Sequence, residues 1–84
     1  MVYRRQPRTI LEPAAVDREI IAYRMKLFVL VERYRAGERR LLERDARHCA
    51  DALICLMEEA PLRQRRAIDY LVDRYESLRA SCLS

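Results

Sequence analysis

The sequence predicts an all-α protein, a three-helix bundle built on a long antiparallel helical hairpin and completed by self-association. Three observations lead there. Apolar residues recur at alternating intervals of three and four along most of the chain. A single glycine and three prolines interrupt 84 residues, too little turn chemistry to join many short strands. The balance of 51% hydrophobic and 36% charged residues is too apolar for disorder and too charged for a bilayer interior.

Residues 1–11 read as a flexible basic leader, with Arg4, Arg5 and Arg8 and no periodicity, and residues 12–84 as one helical domain. Helices are expected at about 13–36, 38–59 and 61–80. Pro13 suits the first position of the first helix. Its core stripe is Val16, Ile20, Tyr23, Leu27, Leu30 and Tyr34, and Ile21, Met25 and Phe28 form a second apolar row beside it. Gly37 is the residue suited to the left-handed position just past a helix end. The second helix repeats the spacing through Leu42, Ala46, Cys49, Leu53, Leu56 and Ala60, with Ala50, Ile54 and Met57 alongside. Pro61 disfavours helical geometry at Ala60 and removes a backbone donor. It either breaks the helix, sending a third one back along the hairpin, or only kinks one long helix. The break is the favoured reading. Ile68, Leu71, Tyr75, Leu78 and Cys82 then form the third stripe, with Val72 and Leu62 beside it.

Several chemistries are missing. Cys49 and Cys55 are six apart on different helix faces, and His48 is the only histidine, so neither a zinc site nor a Cys–His nucleophile is assembled. One glycine cannot make a phosphate-binding loop. No cofactor, metal or catalytic residue is expected, and the chain reads as no enzyme. The longest aliphatic and aromatic run, Leu27 to Val31, is far short of the ~20 residues that span a membrane. No export signal follows Met1, and three cysteines among apolar residues fit reduced, buried thiols, so a cytoplasmic protein is expected.

The formal net charge is +4, and Lys26 is the only lysine. The arginines reflect either a GC-rich genome or selection for bidentate binding of carboxylate and phosphate. Folding at Gly37 gathers Arg33, Arg35, Arg39, Arg40, Arg44 and Arg79 at one end, interleaved with Glu32, Glu38 and Glu43. Pairs of Glu32 with Arg35 and of Glu43 with Arg39 or Arg47 are expected there. A second cluster, Arg63, Arg65 and Arg66, opens the third helix while Glu58 and Glu59 close the second. Both oppose the helix dipoles, and a Glu59–Arg63 pair is one way to offset this. Nucleic-acid binding is the alternative function that such charge suggests, although no helix-turn-helix, finger or aromatic platform accompanies it.

The surplus apolar rows point instead to a helical protein–protein interaction module: a regulator, adaptor, chaperone or inhibitor acting as a homodimer. Ile21, Met25, Phe28, Ile54, Met57 and Tyr70 are the candidate contact residues, and the partner is another protein or a second copy.

Overall fold

In the computed structural model residues 11–83 are described. The basic leader, Leu11 excepted, lies outside the described residues. Three helices and no strand occur among those described: α1 (Pro13–Arg35), α2 (Leu42–Glu59) and α3 (Leu62–Leu83). Pro13 occupies the first turn of α1, where its missing N–H costs nothing. Leu11, assigned by sequence to the leader, is anchored: its N–H donates to the Glu59 carbonyl at 2.9 Å, and its side chain packs on the core.

α1 ends in a Schellman arrangement. Glu38 N–H reaches the Arg33 carbonyl at 2.9 Å and Gly37 N–H the Tyr34 carbonyl at 3.1 Å, with Gly37 at φ 83°. A second left-handed residue, Leu41 at φ 61°, immediately precedes α2. Two such residues in one connection keep the chain out of helical geometry until Leu42, so α2 starts later than the expected residue 38. At the other corner Ala60 is extended (φ −90°, ψ 148°), as a residue before proline should be. Pro61 therefore breaks the helix and does not merely kink it. α3 begins at Leu62 and runs on to Leu83, beyond the expected residue 80.

The helices alternate in direction. Arg33, near the end of α1, bonds Asp45, near the start of α2. Arg79 in the last turns of α3 bonds Glu43 at the start of α2. Gln64, at the start of α3, donates to the Pro13 carbonyl at 3.0 Å and to Asp17 at 2.6 Å, so α3 runs parallel to α1. The closest pair is α2 with α3, and not the α1–α2 hairpin on which the bundle was expected to be built. Two features favour that pair. Only Ala60 and Pro61 separate α2 from α3, whereas residues 36–41 separate α1 from α2. In addition, Ala46 and Ala50 lie within a quarter turn of Glu43, on the side of α2 that meets α3, and let the two backbones approach.

The whole expected stripe of α2 is buried: Leu42, Ala46, Cys49, Leu53, Leu56 and Ala60, joined by Ala50. α3 contributes Ile68, Leu71, Val72, Tyr75 and Leu78. α1 is the weakest contributor. Only Val16, Ile20 and Leu30 are buried, and Tyr23, Leu27 and Tyr34 pack against the core half-buried. Tyr75 is fully buried, and its hydroxyl donates to the Tyr23 carbonyl. The two rings meet edge to face, with centroids 6.5 Å apart. Burial pushes the Tyr75 and Tyr23 hydroxyls and the Cys49 thiol above their ordinary values; the nearby Cys49 adds to the rise of both phenols, whereas Lys26 and the hydrogen bond with Tyr75 offset part of the rise of the thiol.

Leu53 is fully buried. Leu53→Ala should cost about 2–5 kcal/mol in urea unfolding; a loss under about 0.5 kcal/mol would mean that its side chain is not in the core. The raised hydroxyls and thiol also set an alkaline limit. A folded state that keeps them neutral gains stability that is complete below the ordinary values of 9.0 for the thiol and 10.0 for the phenols. That gain is lost as pH rises through the folded values, because the unfolded chain releases these protons first. The urea midpoint should be level from neutrality to about pH 8.5 and fall above about pH 9, with a shallower fall in Tyr75→Phe.

Candidate interaction surfaces

At 100° per residue, the α1 core stripe of Val16, Ile20 and Leu30 leaves Ile21, Met25 and Phe28 on the opposite side of the helix. They are 53%, 67% and 66% exposed. Val29, 54% exposed, extends the same face. Sequence reasoning missed it by treating residues 27–31 as one run, although its position four residues past Met25 places it there. The stripe continues with the same three-four spacing to exposed Arg18 on one side and exposed Glu32 on the other. Arg18 makes no ion pair among the described residues, and Glu32 accepts from Arg35 at 3.4 Å, the pair the spacing predicts. α1 is thus apolar on two opposite faces, one turned to the bundle and one turned away.

The other candidate contact residues are scattered. Ile54, 43% exposed, is eleven residues from Glu43 and so on the α3 side of α2, away from the α1 face. Tyr70, 62% exposed, lies on the outward side of α3. Met57 is not available in the same way: it is half-buried and packed against the core, because it lies only 40° around the helix from Leu53. Cys55 corrects another expectation. It is exposed, two residues from Leu53 and therefore on the far side of α2, whereas Cys49 is buried and Cys82 half-buried.

The arginines at the α1–α2 corner are mostly engaged. Arg33 donates to Asp45 at 3.3 Å and to the Arg40 carbonyl at 3.1 Å, and lies 4.0 Å from Glu38. Arg44 pairs with Asp45 at 3.5 Å, and the Arg39 guanidinium stacks over Tyr34, 4.3 Å from the ring centroid. Glu43 is not paired with Arg39 or Arg47. It takes Arg79 at 2.9 Å, which in turn holds Glu76 at 3.3 Å. The Arg79 guanidinium keeps the Glu43 carboxyl below the usual range. At the second corner the expected Glu59–Arg63 pair does not form. Arg65 instead donates to the Ala60 carbonyl at 3.0 Å, satisfying a group that α2 leaves open at its end. Arg40, Arg63 and Arg66 make no ion pair among the described residues. The basic patch is therefore three separate things: a paired corner, an arginine cap and a few solvated cations.

Among the described residues no three His, Cys, Asp or Glu side chains group to hold a metal ion, and no helix is long and apolar enough to cross a membrane. Fold and surface together define a three-helix bundle with one two-faced helix. No family model, no curated protein and no solved structure matches the chain.

The corner should behave as structure and not as an open binding patch. Arg33→Ala is expected to lower stability by about 1 kcal/mol through the loss of its bonds to Asp45 and the Arg40 carbonyl. Arg40→Ala should change it by less than about 0.5 kcal/mol. Equal effects in thermal or urea unfolding would overturn this division.

Proposed function

We propose that the protein is a small helical interaction module that acts as a homodimer, with the outward face of α1 as its contact surface. It binds and does not catalyse. The observation that carries this reading is the second apolar face of α1, where Ile21, Met25, Phe28 and Val29 are each more than half exposed. One side chain of this kind on a surface is ordinary. Four on one stripe of a helix, framed by charges, have the anatomy of an interface, with an apolar centre and a polar rim. The weak burial of α1 on its inner side supports the same reading, because a helix held by few core residues gains most from a second layer of cover. A regulator, adaptor, chaperone or inhibitor would use such a unit to present its remaining surfaces in pairs.

A second reading rests on a different face. Arg63, Arg66, Tyr70 and Arg74 follow one another at intervals of three, four and four along the outward side of α3, and the three arginines make no ion pair among the described residues. Guanidinium groups and an exposed ring in that order suit a nucleic-acid backbone and its bases. Asp69 and Asp73 border the stripe and lower its net charge, so this reading comes second.

Sedimentation velocity from about 5 to 500 μM should show a rising mass for the full chain. Met25→Asp should leave it monomeric, with helical circular dichroism unchanged. A wild-type chain that stays monomeric throughout would remove the homodimer, and binding of labelled single-stranded RNA that weakens steeply with salt would then favour the second reading.

A further inference from the structure

We infer that the second layer on α1 is another copy of α1 packed antiparallel, with a two-fold axis at Met25 and Arg18 of each chain against the partner's Glu32. The inference rests on the homodimer reading and adds its register and orientation.

Arg18, Ile21, Met25, Phe28 and Glu32 are spaced three, four, three and four, the interval of a helix–helix seam. Its middle is apolar and its two ends carry opposite charges. Arg18 is seven residues before Met25 and Glu32 seven after it. An antiparallel partner centred on Met25 therefore brings each Arg18 to the level of the partner's Glu32, twice over by symmetry. Between them Ile21 meets the partner's Val29, and the two Met25 side chains meet at the axis. A parallel partner in register would stack Arg18 on Arg18 and Glu32 on Glu32. The charges thus select the antiparallel arrangement, as charged flanking positions do in helical pairs.

The state of the end charges agrees. Arg18 makes no ion pair among the described residues, and Glu32 holds only Arg35, at 3.4 Å on an exposed part of the helix. Neither is committed inside the bundle. The pairing also has a weaker outer ring, because Asp17 and Arg35 lie on one flank of the stripe and come to similar levels across the axis.

Size fixes the strength. A 23-residue helix is about 34 Å long, and a contact face about 10 Å wide covers an area below that of standard tight interfaces. The dimer should be reversible at micromolar concentrations and sensitive to single end charges.

Charge reversal tests the register. In sedimentation equilibrium of the full chain, Arg18→Glu and Glu32→Arg should each weaken self-association by about tenfold, and the double variant should return to within about threefold of wild type. Single reversals without effect, or a double variant no better than either, would overturn the register while leaving the homodimer reading intact. A monomeric wild type would overturn both. Spin labels give a second measure, in a Cys55→Ser, Cys82→Ser background. Labels at Met25→Cys should be closer to their symmetry mates than labels at Arg18→Cys by about 10 Å. Equal distances would show a parallel pair and sink the inference.

Discussion

Apolar burial along one side of α2 holds the rest of the molecule in place. Leu42, Ala46, Cys49, Leu53 and Leu56 run the length of this helix with almost no exposure, and both other helices close on it. α3 comes nearest because alanines line its approach and because the chain has only Ala60 and Pro61 in which to reverse. α1 must then share the remaining flank. Its own stripe is covered less completely, and the polar contacts at its two ends, Arg33 with Asp45 and Gln64 with Pro13 and Asp17, keep it aligned. No charged or polar side chain is buried among the described core residues, so the cohesion is apolar with one internal exception. That exception is the Tyr75 hydroxyl, which finds an acceptor on the α1 backbone and so couples α3 to α1 through the centre.

This distribution explains how interaction surfaces arise on so short a chain. A bundle of 84 residues cannot bury every apolar row that its helices carry. α2 packs closely on α3 and buries its whole inner stripe, leaving Ile54 and Cys55 exposed on its other sides. α1 has neighbours on one side only, and the row on its other side has nothing to pack against. The apolar surplus is therefore a property of position in the bundle as much as of sequence. The charged residues follow the same geometry: most of those near helix ends that converge are paired or capped, Arg40 excepted, and those on outward faces, such as Arg18, Arg63 and Arg66, are solvated.

Much of the architecture was legible in the sequence, because three-four periodicity reports the inner face of a helix directly. The core stripes of α2 and α3 were read almost residue by residue, and Gly37 and Pro61 marked the corners. What escaped depended on neighbours. The start of α2 was placed too early, since nothing in the letters announces Leu41 in a left-handed conformation. Met57 was assigned outward, although a wide inner face on α2 takes it in. Glu43 was matched to arginines on its own helix when a residue 36 positions away on α3 was nearer. The cap that Arg65 gives to Ala60 was equally invisible, because it depends on how sharply the chain turns at Pro61. On α1 the outward row was seen, but not the addition of Val29 or the opposed charges at the two ends of the stripe.

Ala46 and Ala50 have a consequence for how this sequence can change over time. Both are fully buried in the core, where even one added methylene would force their neighbours apart. Drift at either site must wait for a compensating reduction across the seam, on the face of α3 that meets it. Outward positions on α1 are under no such joint constraint within a single chain. Descendants of this sequence should therefore preserve their interior by paired substitution within one chain, whereas change along the outward stripe of α1 is checked only by the second copy that it meets.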